Sequence, residues 1–308
     1  MIVVAGESLV DLVVRADGSV GATPGGGPYN VARALGRLGA PVSFLGRLSN
    51  DRFGRILRSH LEADAVDLGL AIAIDDPTLL AVAEVDDDGA ATYRFHTHGT
   101  AAAGLAPADV RAGLPAGTTA LHVGSLGLVL EPMAVALEAL AIEAPIDVLV
   151  MVDPNCRPDA IADPAGYRAR LDRILGRVDI LKVSTDDLAW LEPDREPVAA
   201  ARRLLERGPA VVLLTDGPRP VRVVTVRDVV ALNVPDVAVV DTIGAGDAFG
   251  AGFLAAWNRV GRDRADLADL AAVTDATRFA IEVGAWTAGR AGADPPTLAD
   301  LRRSRPGS

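Results

Sequence analysis

The stretch DVLVMVDP, residues 147–154, is apolar from Val148 to Val152 with no polar residue interposed. A strand with one wet face alternates apolar and polar side chains, whereas a strand covered on both faces does not, so this run predicts a central strand of a parallel sheet. Similar runs stand on either side of it: IVVAG at 2–6, VSFLG at 42–46, TALHVG at 119–124, VDILKV at 178–183 and AVVLLT at 210–215. Stretches of helical period separate most of them. That alternation argues an α/β domain whose mostly parallel sheet is covered by helices on both sides.

Four further runs, at 12–14, 70–74, 79–85 and 91–96, are joined by turn material such as Asp86-Asp87-Asp88-Gly89, with no helical spacing between them. They predict a small antiparallel sheet, a β lid inserted from about residues 12–23 and 70–98 into a single domain spanning 1–308. Cover for a site, or a homodimer surface, is the use expected of it. Within the main domain, Val31, Leu35 and Leu38 repeat at helical spacing, Pro28 stands in the first turn and Gly39 follows the end, which predicts a helix over 28–38. A second helix is predicted over 245–260, where Gly250 and Gly252 each cost about 1 kcal/mol relative to alanine unless a close neighbouring backbone requires them. The polar end, 304–308, reads as frayed.

The 308 residues are half apolar, enough for one large domain, and acidic side chains exceed basic ones by 11. That field repels phosphate backbones and anionic lipid surfaces, which argues against nucleic-acid and membrane partners. The apolar stretch 119–152 is interrupted by His122, Glu131, Pro132, Glu138, Glu143 and Pro145, so it reads as buried core and not as a membrane span. One cysteine, Cys156, cannot form an internal disulfide, and the start MIVVAGESLVDL carries neither a basic segment nor a cleavage site. A cytoplasmic location is therefore expected.

DTIGAGDAFGAGF, 241–253, sets a glycine-rich turn directly before a helix. Free amides of residues 244–247 could converge there on an anion with the helix dipole behind them. Asp247 would be the carboxylate nearest that anion, able to accept a hydroxyl proton as the oxygen attacks phosphorus. On spacing alone, the same residues suit a glycine cap and an acidic first turn. GGGPYN, 25–30, combines glycines that let a polyol approach the backbone with an amide, Asn30, that both donates and accepts; it suits a helix start as well. Neither Gly-x-Gly-x-x-Gly after the first strand nor a loop ending in Gly-Lys-Ser/Thr is present, which argues against dinucleotide binding and Walker-type phosphate binding.

The run Asp241-Thr242-Ile243-Gly244-Ala245-Gly246-Asp247 resembles the signature of the ribokinase-like (PfkB) carbohydrate kinases, and GGGPYNVARALGRLGAPVSFLGRLSNDRFG, 25–54, resembles that family's other signature. The resemblance implies a ribokinase-like three-layer fold using ATP and Mg²⁺, with Asp247 as base and Gly244, Ala245 and Gly246 as anion hole, the two glycines also contacting ATP. It implies that Gly25, Gly26, Asn30 and, within GESLVDL, Asp11 hold sugar hydroxyls. Lys182-Val-Ser-Thr-Asp-Asp187 resembles the family's Asn-x-x-Glu element, with Ser184 in place of the asparagine beside ATP and Asp187 in place of the acid that positions Mg²⁺ through water. Thr215-Asp-Gly217 corresponds to the Thr-x-Gly turn at the nucleotide phosphates, with Pro220 replacing the second glycine, and Ile281 falls where many members carry an asparagine near adenine. AGRAGADPPTLADL, 288–301, resembles the closing segment whose carbonyls, with those of Asp241 and Ile243, hold a monovalent cation such as K⁺.

HVGSLGLVLEPM, 122–133, and DPNCRP, 153–158, look like fructokinases and 2-keto-3-deoxygluconate kinases, so the resemblance covers nearly the whole chain. Arg157 is then the cation expected nearest an anionic substrate or phosphates. In YRFHTHGTAA, 93–102, Thr97 stands where those two groups carry arginine, which weakens the case for a carboxylate-bearing substrate. His96 and His98 share a face at strand spacing and read as ordinary lid residues, with a metal or pocket role as the alternative. The function implied is transfer of the ATP γ-phosphoryl group to a hydroxyl of a free sugar, fructose first, by a homodimer paired through the lid. 2-Keto-3-deoxygluconate or a nucleoside is the alternative acceptor. A catalytically silent sugar-binding regulator is the alternative of another class; it would predict damage at the base or the anion hole, and neither is damaged.

Overall fold

The computed structural model describes residues 1–85 and 91–304. Its strands are β1 (Ile2–Ala5), β2 (Leu9–Val14), β3 (Val20–Gly25), β4 (Val42–Ser49), β5 (Ala71–Ile74), β6 (Leu79–Val85), β7 (Ala91–His96), β8 (Ala120–Gly124), β9 (Leu149–Asp153), β10 (Ile180–Ser184), β11 (Val211–Asp216), β12 (Arg219–Val224) and β13 (Val229–Leu232). Its α-helices are α1 (Gly27–Arg37), α2 (Arg52–Ala63), α3 (Met133–Ile142), α4 (Pro164–Leu175), α5 (Thr185–Leu191), α6 (Pro197–Leu205), α7 (Ala245–Arg259), α8 (Leu270–Ala288) and α9 (Leu298–Ser304).

Nine strands form one sheet in the order β13-β12-β11-β10-β9-β8-β1-β4-β5, parallel from β11 to β5 and antiparallel at β12 and β13. β9 lies at its centre, and Val148 to Val152 are at most 3% exposed, as their unbroken apolar run predicts. Successive side chains of that run enter opposite cores. Leu149 and Met151 join residues of α1, α2, α7 and α8, while Val148, Val150 and Val152 join residues of α3, α4, α5 and α6. The three-layer α/β arrangement follows from that double cover.

The second sheet runs β3-β2-β6-β7. Its hairpins β2–β3 and β6–β7 are antiparallel and meet along the parallel pair β2–β6, and the sheet begins at Leu9 rather than near residue 12. Leu9, Leu79 and Ala81 pack its underside against Ala102, Ala103 and Leu126 of the main domain. The expected lid segment 70–74 is not part of it. β5 instead pairs parallel with β4 at the edge of the large sheet, because α2 crosses between the two and returns the chain in the same direction. The expected turn 86–89 and the end at 305–308 lie outside the described residues.

The glycines predicted inside the helix at 245–260 divide in purpose. A Cβ on Gly252 would stand 2.9 Å from Ala280 Cα and 3.0 Å from Val283 Cγ2, so α7 and α8 approach closely only because that side chain is absent. At Gly250 the same atom would meet Met151 Cε at 3.6 Å, an ordinary contact.

Candidate active site

Asp153 and Ser184 end β9 and β10, Thr215 lies near the end of β11, and Glu7 and Ser125 follow β1 and β8. All of these stand at the carboxyl edge of the parallel strands, where open α/β sheets place their ligands. The first turns of α1 and α7 meet there: Asn30 Nδ2 donates to Asp247 Oδ2 at 2.9 Å, joining residues 217 apart in sequence. Asp247 is 8% exposed. Burial holds its carboxyl above the usual carboxylate range, against the Asn30 hydrogen bond and the charges of Lys182 and Arg157. A buried carboxylate whose charged form is disfavoured is a stronger proton acceptor than one in water.

Gly244 caps α7 in the left-handed region, φ 74° and ψ −2°, and a Cβ there would lie 2.5 Å from Ala293 Cβ. That conformation turns the first amides of the helix toward the cleft. Among the expected donors, Ala245 N donates to Thr242 O at 3.2 Å and closes the turn. The amides of Gly244 and Gly246 have no such partner among the described residues.

The expected sugar-contact residues gather beside Asp247. A Cβ on Gly25 would fall 2.3 Å from Asp11 Oδ2, and one on Gly26 would fall 2.9 Å from Glu7 O, so Gly25 lets the Asp11 carboxylate lie against the backbone and Gly26 lets the chain after β1 approach it. Burial raises Asp11 to about 6, Arg157 lowers it and Asp247 raises it, which places all three within one electrostatic neighbourhood. Arg157 is exposed, and its Nη1 donates to Cys156 O at 3.2 Å. Cys156 itself is buried, and burial first, with the Asp187 charge, pushes its thiol up to about 12. It has no reactive thiolate at neutral pH.

On the other side of the α7 N-terminus, a cavity of about 400 Å³ is lined by Thr215, Gly217, Val221, Phe249 and Ile281, with Ala245 and Gly246 also on its wall. Its size and apolar walls suit a nucleobase and ribose. Pro220 falls in β12, beyond a turn across which Arg219 Nε donates to Asp216 Oδ2 at 2.7 Å. Ser184, expected beside ATP, does not line this cavity. Its hydroxyl accepts from Asp187 N at 3.0 Å, which with the bond from Ser184 N to the Asp187 carboxylate makes the reciprocal cap of α5, and it donates to Asp187 Oδ2 at 2.7 Å. Asp187 also accepts from Cys156 N at 2.7 Å and Ser184 N at 2.8 Å. Asp241 ties its loop to the closing segment, with Oδ1 accepting from Ile243 N at 3.0 Å and Oδ2 from Gly292 N at 2.9 Å. His96 and His98 are exposed, and no group of three or more metal-binding side chains occurs among the described residues. A wider hollow of about 750 Å³ lies at the opposite edge of the sheet, where Asp179 pairs with Arg177 and Arg264.

Three buried groups at the site have no role implied by the sequence. Glu7 is fully buried and bridges two loops, accepting from Gly27 N at 3.1 Å and Gly127 N at 2.9 Å; burial raises it to about 7 against those bonds. Lys182 Nζ donates to Asp153 Oδ2 at 2.7 Å with both residues buried. Burial works against the ammonium, but Asp153, Asp187 and Asp247 outweigh it and hold Lys182 above its ordinary value, while burial lifts Asp153 to about 6 against the pull of Lys182. The acid that closes a β-strand and the lysine inside one have no sequence signal apart from the strings DPNCRP and LKVSTDD, whose other residues drew attention first.

A family model described as pfkB family carbohydrate kinase matches residues 1–300 of the chain. A fructokinase of Rhizobium leguminosarum bv. trifolii is 36% identical over 259 residues, which are 83% of this chain and 79% of that protein. The solved structure of the Xylella fastidiosa fructokinase with bound ATP superposes with a TM-score of 0.89 at 25% identity, covering 98% of this chain and 97% of that one. The aminoimidazole riboside kinase of Salmonella enterica, complexed with aminoimidazole riboside and an ATP analog, superposes with a TM-score of 0.84 at 28% identity over 98% of each chain.

Proposed function

The chain belongs to the pfkB family of carbohydrate kinases, and from that premise we propose that it transfers the γ-phosphoryl group of ATP to a hydroxyl of free fructose, with Asp247 as the base. The observation that carries this reading is the Asn30–Asp247 hydrogen bond of 2.9 Å, which holds a buried carboxylate of raised basicity beside the open amides of a helix N-terminus. Asp247 takes the proton of the sugar hydroxyl as the oxygen bonds to phosphorus; the β–γ bridge breaks, and ADP leaves with the bonding electron pair. Charge on the transferring group faces the amides of Gly244 and Gly246.

Asp11 accepts from two sugar hydroxyls, Gly25 and Gly26 give the sugar access to the backbone, Asn30 binds a further hydroxyl, and Arg157 offers a cation to the phosphates. Adenine occupies the cavity against Phe249 and Ile281, with Thr215 and Gly217 along the phosphates. Mg²⁺, when bound, neutralises the β- and γ-phosphate charge. Asp187 fits it through water: Oδ2 accepts two hydrogen bonds from Ser184, while Oδ1 accepts one from Cys156 and keeps a lone pair. A monovalent cation fits the carbonyls of Asp241 and Ile243 where Asp241 draws the 292 loop alongside. Among the described residues no helix is long and apolar enough to cross a membrane. The expected setting is the cytoplasm, with two copies paired through the outer face of the four-stranded sheet, where Val20 is 61% exposed.

A nucleoside acceptor is the second reading, favoured by the likeness to the riboside kinase. ADP release measured with fructose, 2-keto-3-deoxygluconate and a riboside separates these readings. The highest kcat/KM is expected for fructose, and a larger value for the riboside would replace it. ADP release with none of the three, by folded protein, would sink the kinase reading in favour of a silent sugar-binding regulator.

A further inference from the structure

Glu7 is fully buried, and no step of the proposed reaction uses it. Its two oxygens serve two different loops. Oε1 accepts from Gly27 N, the first residue of α1, at 3.1 Å, and Oε2 accepts from Gly127 N, in the short helical turn Ser125–Leu128 after β8, at 2.9 Å. The Ser125 side chain adds a further hydrogen bond. A glutamine in the same place would offer one acceptor oxygen to those two N–H groups and set its own donor against the other, so the arrangement calls for a carboxylate. Burying an ionisable group is costly, and a side chain needed only to fill this space could be apolar.

The two loops that Glu7 joins meet at the proposed base. A Cβ on Gly27 would stand 2.9 Å from Ser125 Cβ and 3.6 Å from Asp247 Oδ1, so the clamped residue lies between the turn after β8 and the carboxylate of α7. Asn30 follows on the first turn of α1: its N donates to Gly26 O at 2.9 Å, and its Nδ2 reaches Asp247. Ser125, at φ 53°, occupies the left-handed region that residues other than glycine rarely adopt, and backbone held there persists only where its surroundings over-determine it. Glu7 supplies two of those restraints, at Ser125 and at Gly127. Leu126, in the same turn, packs under the four-stranded sheet with Leu9, Leu79 and Ala81. None of Glu7, Gly27 and Gly127 lines the cavity of about 400 Å³ beyond α7.

We propose that Glu7 is a positioning residue for the acceptor, whose carboxylate clamps the start of α1 to the turn after β8 and so sets where Asn30 and the backbone at 25–27 stand relative to Asp247. The proposal rests on the sugar-kinase reading but not on which sugar is the acceptor. Glu7→Gln keeps the size of the side chain and breaks one end of the clamp. It is expected to lower kcat/KM for the acceptor about ten- to a hundredfold, chiefly through the acceptor KM, and to leave the ATP KM unchanged, since a displacement of about 1 Å at a bound reactant is worth up to about a hundredfold. Glu7→Asp keeps the charge but is one methylene short of spanning both loops, and it should not restore the lost efficiency. A glutamate that served only the fold would lower the melting temperature and leave the ratio of the two KM values untouched. An acceptor kcat/KM within about threefold of wild type in folded Glu7→Gln, or an ATP KM raised as much as the acceptor KM, overturns the proposal.

A second measurement needs no substitution. If the clamped state binds the acceptor more tightly than the open one, the acceptor must stabilise the clamp by the same factor. Hydrogen exchange at the Gly27 and Gly127 amides of the wild type, both of which donate to Glu7, is therefore expected to slow together, by about ten- to a hundredfold, at saturation with whichever of fructose, 2-keto-3-deoxygluconate and the riboside binds tightest by calorimetry. An acceptor that binds and leaves Gly127 exchange unchanged refutes the role of Glu7 alone. Wild-type protein that binds none of the three loses the sugar-kinase reading and this proposal with it.

Discussion

Replacing Asn30 with leucine, alike in branched shape but larger and unable to donate, removes the 2.9 Å hydrogen bond that Asp247 Oδ2 accepts. A hydrogen bond to a charged group is worth about 1.5–3 kcal/mol net. At Asp247 it favours the ionised form: burial raises this carboxyl, and Asn30 opposes that rise ahead of Lys182 and Arg157. Its loss therefore moves the Asp247 titration further up. Because only the ionised carboxylate accepts a proton, the acid limb of turnover moves to higher pH. With about 1.4 kcal/mol per factor of ten, the ionised fraction on the acid side of the limb falls roughly 10- to 150-fold below that of the wild type. The assay is kcat against pH, from about 5 to 9, by coupled ADP detection at saturating sugar, since Asn30 also stands on the sugar side. An acid limb of kcat at the same pH in Asn30→Leu as in the wild type would refute the reasoning.

Asp11→Asn is expected to raise the sugar KM about ten- to a hundredfold, the worth of charge-assisted hydrogen bonds, and to leave the ATP KM unchanged. In the wild type, burial holds Asp11 at about 6 against Arg157, so the sugar KM should rise as pH falls through about 6 and the acceptor is protonated. The same KM profile in Asp11→Asn would remove Asp11 from that role. Gly252→Ala puts a methyl 2.9 Å from the Ala280 backbone. It should cost about 1–3 kcal/mol in urea unfolding with both KM values intact, and an unchanged stability would contradict the close α7–α8 approach.

How far the sequence carries depends on the kind of contact. The unalternating run 148–152 announces a strand buried on both faces, and the structure gives it two cores. The segment 70–74 reads as lid because turn material and no helical spacing join it to the run at 79–85, and its partner is decided by α2, a crossover whose amphipathic period stands before it in RFGRILRSHLEA. Gly252 is legible as an anomaly, and only the neighbouring helix explains it. At the site, motifs locate Asp247 and Asn30 but not the bond between them, which spans 217 residues. The use of the Ala245 amide and of the Ser184 hydroxyl is set by turn and cap geometry that residue types leave open. Lys182 opens a motif whose other residues carry the implied roles. Its approach to Gly246 exists only once β10 and α7 are folded together.

The claim on which the account turns is that Asp247 removes the hydroxyl proton. Asp247→Asn keeps the size of the side chain, and it keeps the Asn30 contact through the amide oxygen while taking away the base. The decisive measurement is single-turnover phosphoryl transfer by Asp247→Asn at saturating ATP and fructose, with both affinities taken by calorimetry. The account predicts a rate lower by about 100- to 10,000-fold with sugar and nucleotide affinities close to wild type. A wild-type rate in that variant, with fold and affinities intact, would contradict it.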